Sequence, residues 1–146
     1  LVHFVVDADQ VFLTTQLGGS KTKFLPFNKG LNHGAGNPQN SDGYRTSYLW
    51  EEILTKKSFM DIVGRFLFYK VDEVKIGDTN KKRETLIFPR YHQLDAVRSL
   101  ASVTKKSGVG SNYLIQHSAG SGKSNTISWL AYRLSSLHSS DDKKNI

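Results

Sequence analysis

The chain has 146 residues, of which 38% are hydrophobic and 23% charged, with eight Phe, six Tyr and two Trp, so disorder throughout is excluded and one domain is the ordinary outcome at this length. A formal net charge of +7 favours polyanionic partners, nucleic acid above all, although an ordinary basic enzyme carries the same surplus. With no Cys, a disulfide framework and a cysteine-ligated metal are both excluded, which fits a cytoplasmic protein.

The N-terminal LVHFVVDADQVFL has neither a basic leader nor a small-residue cleavage site, so it is not read as a signal peptide. It opens without Met in a strand-like run, as a piece of a longer chain would. No apolar run approaches the roughly 18 residues of a membrane span, so no membrane partner is expected. Residues 2–6 (VHFVV) and 10–14 (QVFLT), parted by Asp7-Ala8-Asp9, predict a hairpin in which the two carboxylates serve as turn formers. Lys23–Phe27 (KFLPF) is broken by Pro26 and suits a sheet edge. Residues 28–45, dense in Asn, Gly, Pro and Ser, predict a long loop. Lys21, Lys23, Lys29 and Arg45 around it are candidate contacts to a DNA backbone, or simply a solvated face.

Two helices are expected next. Thr46–Leu54 sets Tyr48, Leu49, Ile53 and Leu54 along one face, and a second helix capped by Ser58 carries Phe59, Ile62, Val63, Phe66 and Leu67. Asp72–Glu84 is mostly charged and reads as a linker or surface excursion. Its Glu73-Val74-Lys75 has the Glu-x-Lys order of a nuclease metal site, but nothing supports it there, and it is taken as coincidence. Residues 91–106 predict a helix with Leu94, Val97, Leu100 and Val103 buried. A short strand at 112–116 (NYLIQ) and a helix over Asn125–Leu137, with Ile127, Leu130, Ala131 and Leu134 at helical spacing, complete the pattern. The five His (3, 33, 92, 117 and 138) show no ligand spacing, so a zinc site is not expected, and His117 is read as structural.

Between that strand and helix lies His117–Ser124, HSAGSGKS. In a phosphate-binding loop, small residues let the backbone curl until successive N–H groups point at the phosphates, and the following helix adds its N-terminal dipole. Ser118, Ala119, Gly120, Ser121 and Gly122 are those residues here. Lys123 would reach the β- and γ-phosphates, and the Ser124 hydroxyl would join the Mg2+ that accompanies the nucleotide. The pattern G-x-x-x-x-G-K-[ST] calls for Gly where this chain has His117, a relaxation often found in helicase-type motors. Upstream, Gln93 stands about where superfamily 2 motors place an adenine-reading Gln. Its amide offers a donor and an acceptor to the base, and Phe88 or Tyr91 could stack on it, which would make the ligand ATP.

FPRYHQLDAVR followed by NYLIQHSAGSGKSNTISWLAYRL closely resembles the motor of the restriction (R) subunit of type I restriction–modification enzymes. VHFVVDADQVFLTT, KFLPFNKG, GAGNPQN, GYRTSYLWEEIL and DIVGRFL resemble the block that joins that subunit's nuclease to its motor, so the likeness spans nearly the whole chain. GSGKS is common among ATPases; LPFNKG with GNPQN and YLWEEIL is far more restrictive.

The resemblance implies an α/β fold: the end of a nuclease-type domain and connecting helices over 1–70, a linker at 71–86, and the start of a RecA-like ATPase domain over 87–146. It implies an ATP-dependent translocase and endonuclease on double-stranded DNA, working with modification (M) and specificity (S) subunits against unmodified DNA. The matching positions are Gln93 for adenine, and Gly120, Gly122, Lys123 and Ser124 for phosphates and Mg2+. The nuclease residues of that family would lie upstream, and the remaining motor motifs beyond Ile146, so no catalytic residue is assigned and no ATP turnover is expected of this stretch alone. Two other readings stand beside it: a superfamily 2 motor of a repair system sharing only residues 88–134, and a basic DNA-binding adaptor with a vestigial loop.

Overall fold

A computed structural model describes residues 1–32, 34–76, 79–108 and 110–137; His33, His138 and the polar tail therefore lie outside the described residues. The protein is mixed α/β, with small antiparallel sheets and helices, and divides into two compact units, Leu1–Arg90 and Tyr91–Ile146.

In the first unit β1 (His3–Val6) and β2 (Val11–Thr14) form the expected hairpin, and β3 (Leu25–Pro26) pairs with β2 to give the order β1-β2-β3. The turn is built by Asp7, whose Oδ1 accepts from the amides of Asp9 (2.8 Å) and Gln10 (2.7 Å). Pro26 sits on the edge strand, where its missing N–H costs no ladder bond. Beneath the sheet, Phe4, Phe27 and Phe88 meet at ring-centroid distances of 5.6–6.1 Å, beside buried Val11, Leu13, Tyr48, Ile62 and Phe66. Phe88, a candidate for stacking on a base, is thus part of this aromatic cluster.

The expected helix at 46–54 is instead a wide π-helical turn, Leu49–Ile53, closed by the Leu54 amide on the Leu49 carbonyl at 2.8 Å. Tyr48, Leu49 and Ile53 are buried as expected, but Leu54 is exposed: the wider turn rotates it off the apolar face. Helix α1 (Lys56–Arg65) is capped by Thr55, whose Oγ1 accepts from the Ser58 amide at 3.4 Å. Ser58 is thus the third helical residue and not the cap. Ile62 and Phe66 are buried; Phe59 and Val63 are exposed.

The stretch read as a linker lies almost wholly within a two-stranded antiparallel ribbon, β4 (Phe68–Ile76) and β5 (Thr79–Ile87). Its polar composition hid the pairing. In register, Asp72 faces Arg83 and Glu73 faces Lys82, opposite-charge pairs worth about 0.2–1 kcal/mol each. Glu73 and Lys75 share one exposed face of this ribbon.

In the second unit α2 (Tyr91–Ser107) packs against α3 (Lys123–Ser135). The buried stripe of α2 is Gln93, Leu94, Val97 and Ala101, so Leu94 and Val97 face inward as expected while Val103 is exposed. On α3 the buried residues are Thr126 and Trp129; Ile127 and Ala131 face outward, one position off the expected stripe. No strand forms at 112–116. A strand needs a neighbour for its N–H and C=O groups, and among the described residues none pairs there, leaving Leu114 93% exposed. Among the described residues no helix is long and apolar enough to cross a membrane.

Candidate phosphate-binding loop

The loop between α2 and α3 owes its shape to two glycines. Gly120 (φ +71°) and Gly122 (φ +82°) are left-handed, a conformation in which a Cβ is strained. At Gly122 a Cβ would also stand 2.6 Å from Gln93 Nε2. His117, by contrast, has an ordinary negative φ: among the described residues Asn32 is the one non-glycine with positive φ. Nothing in the backbone at 117 asks for the glycine of the full motif, which accounts for the departure.

From Ser118 the chain turns back, with the Ser121 amide on the Ser118 carbonyl at 3.3 Å, and α3 begins at Lys123. The Gly122 carbonyl receives the amides of Asn125 (3.1 Å) and Thr126 (3.3 Å) and so starts the helix. No side chain caps it. The N–H groups of Gly122, Lys123 and Ser124 meet no acceptor among the described residues, and unmatched donors at a helix N-terminus are an anion-binding arrangement. The Lys123 ammonium lies across the loop, donating to the carbonyls of His117 (3.2 Å) and Ser118 (2.9 Å). Lys123 and the neighbouring Ser124 are both exposed. The Ser121 hydroxyl, the Thr126 hydroxyl and His117 Nδ1 are buried and meet no hydrogen-bond partner among the described residues.

Gln93 is only 3% exposed, and its amide nitrogen donates to the carbonyls of Gly122 (2.8 Å) and Ser121 (3.2 Å). The sequence reading aimed this amide at adenine; in the structure it holds the loop. The residue before it adds a contact that sequence spacing did not reveal. His92 Nε2 lies 3.1 Å from the Ser121 carbonyl, and its ring meets that of His117 edge-on at a centroid distance of 4.7 Å. Scattered in sequence, these two His are neighbours in space.

Amides without an acceptor among the described residues, a helix N-terminus and the Lys123 ammonium meet at this loop, the donor chemistry that a polyphosphate would require. Bound there, Mg2+–ATP would be held by Gly120, Gly122 and Lys123 at its phosphates, with the Ser124 hydroxyl as the protein's contribution to the metal. Among the described residues no group of three His, Asp or Glu is arranged to hold a metal by itself, near the Glu73–Lys75 ribbon or elsewhere.

The first unit has its own polar centre. Asn37, 1% exposed, accepts the Lys29 amide on Oδ1 (2.8 Å) and donates through Nδ2 to the Asp9 carbonyl and to Asn28 Oδ1 (both 2.9 Å). Asn28 Oδ1 in turn accepts the Val11 amide at 2.8 Å. The strings LPFNKG and GNPQN are thus joined by one amide pair, Asn28 with the buried Asn37. Of the four cations around this loop, Lys29 is paired with Glu52 (2.6 Å) and lies over the Tyr48 ring, and Arg45 approaches Asp9 (3.5 Å). Lys21 and Lys23 remain at the surface.

Comparison with models of protein families, with curated proteins and with solved structures gave no match.

Proposed function

We propose that the chain is part of the R subunit of a type I restriction enzyme, an ATP-dependent DNA translocase and endonuclease, and that His117–Ser124 is its triphosphate grip. The observation that carries the nucleotide reading is the pair of left-handed glycines, Gly120 and Gly122, delivering unmatched amides and Lys123 to the start of α3. The assignment to this class of motor rests on the sequence likeness. Against a repair helicase stands the likeness of the upstream strings LPFNKG, GNPQN and YLWEEIL, which such a motor would not share. On this reading residues 1–70 end a nuclease domain, the ribbon that follows connects it, and 87–146 begin the motor. The polyanion is double-stranded DNA, and the partners are the M and S subunits.

In such a motor, the bound ATP supplies the free energy for movement along DNA. The residues of this chain bind and orient it: the loop amides and Lys123 take the phosphate charge, and Ser124 orients the metal. Calorimetric titration with Mg2+–ATP is expected to show saturable binding that Lys123→Ala removes, without ATP turnover by this chain alone. Co-purification with M and S subunits separates the proposal from the repair-helicase alternative. Turnover by the isolated chain that Lys123→Ala abolishes, or ATP affinity indifferent to that change, would count against it.

A further inference from the structure

Resting on the reading of His117–Ser124 as a polyphosphate grip, we propose that His92 is a positioning residue for it, acting with Gln93 from the first turn of α2. In a trans peptide the C=O of one residue and the N–H of the next point in opposite directions. His92 Nε2 and Gln93 Nε2 both contact the Ser121 carbonyl, at 3.1 and 3.2 Å, and Gln93 also donates to the Gly122 carbonyl at 2.8 Å. Holding those two carbonyls toward α2 turns the amides of Gly122 and Lys123 away from α2. These are two of the amides that meet no acceptor.

The chemistry also assigns the His92 proton. A carbonyl oxygen only accepts, so Nε2 of His92 carries hydrogen and donates. At the other end of the loop, the same imidazole packs edge-on against His117, the residue in the place of the motif's first glycine. The first turn of α2 therefore holds the loop at both ends: through a ring contact at 117, and through two donors at 121 and 122. Lys123 occupies the carbonyls of His117 and Ser118, so side-chain donors take up carbonyl groups at each end of the loop and its amides are left for an anion. Nδ1 of His117 is buried and meets no hydrogen-bond partner among the described residues, while its ring packs on that of His92.

The test measures the affinity of the full chain for inorganic tripolyphosphate, ATP and GTP, each with Mg2+, well below the unfolding temperature. His92→Phe keeps a flat ring and removes the donor; Gln93→Glu sets acceptors against the two carbonyls; His92→Gln restores a donor. The first two are expected to weaken all three ligands by the same factor, about tenfold. His92→Gln is expected to recover most of that loss, which a merely structural role would not produce. Should His92→Phe fail to fold, Gln93→Glu carries the test on the same carbonyls. Unchanged tripolyphosphate affinity in the folded variants overturns the proposal, as does a loss confined to ATP, which would mark Gln93 as a base reader. A wild-type chain that binds none of the three overturns the underlying reading and this proposal with it, a failure seen before any variant is made.

Discussion

Asn37 shows how much one buried side chain can hold. Three groups depend on it: the Lys29 amide, the Asp9 carbonyl and Asn28 Oδ1. Truncation would take the partner from the Lys29 amide and the Asp9 carbonyl in a part-buried setting, while Asn28 Oδ1 keeps the Val11 amide, and each orphaned group costs about 1–3 kcal/mol. Asn37→Ala is therefore expected to lower the stability of the first unit by about 3 kcal/mol in urea unfolding, and a loss below about 1 kcal/mol would show that water replaces the amide. Asp7 acts at the same scale through charge. The amides of Asp9 and then Gln10 hold its carboxyl below the usual carboxylate range. A depressed folded pKa contributes stability that is complete above the unfolded value of about 3.9 and fades as the pH falls through the folded value. The urea midpoints of wild type and Asp7→Ala should accordingly differ at neutral pH and converge as the pH falls from about 5 to 2; a gap constant across that window would contradict the assignment. The sequence told that Asp7 forms a turn, because a short carboxylate reaches its own backbone two residues on. It could not tell that Asn28 and Asn37 meet, since nothing local distinguishes a buried Asn from one in a solvated loop.

At the scale of elements, the hairpin, the edge strand at Pro26 and the two long helices were legible because period and turn chemistry are local. Where reading failed, pairing or rotation decided. The ribbon β4–β5 was hidden by its charges, whose meaning appears only in register, Asp72 against Arg83 and Glu73 against Lys82. The stretch 112–116 has the composition of a strand, but composition supplies no neighbour, and the described residues provide none. The inward face of α3 is Thr126 and Trp129, one position off the apolar spacing, and Ile127 lies at the surface. The joint between loop and α3 is Gly122, and two requirements coincide there: positive φ, and room for the Gln93 amide at the place where a Cβ would stand. Gly122→Ala should therefore weaken ATP binding by more than tenfold while leaving the first unit's stability unchanged; near-normal affinity would mean that the loop adopts another path when occupied.

For the whole molecule, the division into compact units rests on contacts between distant residues, which local sequence patterns do not carry. The expected linker at 71–86 belongs to the first compact unit, and the division falls after Arg90, directly before α2. As a result α2, the His117–Ser124 loop and α3 share one unit, with His92 and Gln93 in contact with the loop carbonyls. Of the residues singled out in the sequence, Gln93 and Lys123 both contact carbonyls of the loop, and His92, which spacing did not mark, joins them there. The net charge of +7 creates a field that favours polyanionic partners.

The backbone amide resonances of the full chain during titration with Mg2+–ATP test that grip most directly. Large shifts, saturating together, are expected at Gly120, Gly122, Lys123 and Ser124, with none of them in Lys123→Ala. Saturable shifts clustered elsewhere, with these four amides unmoved, would contradict it.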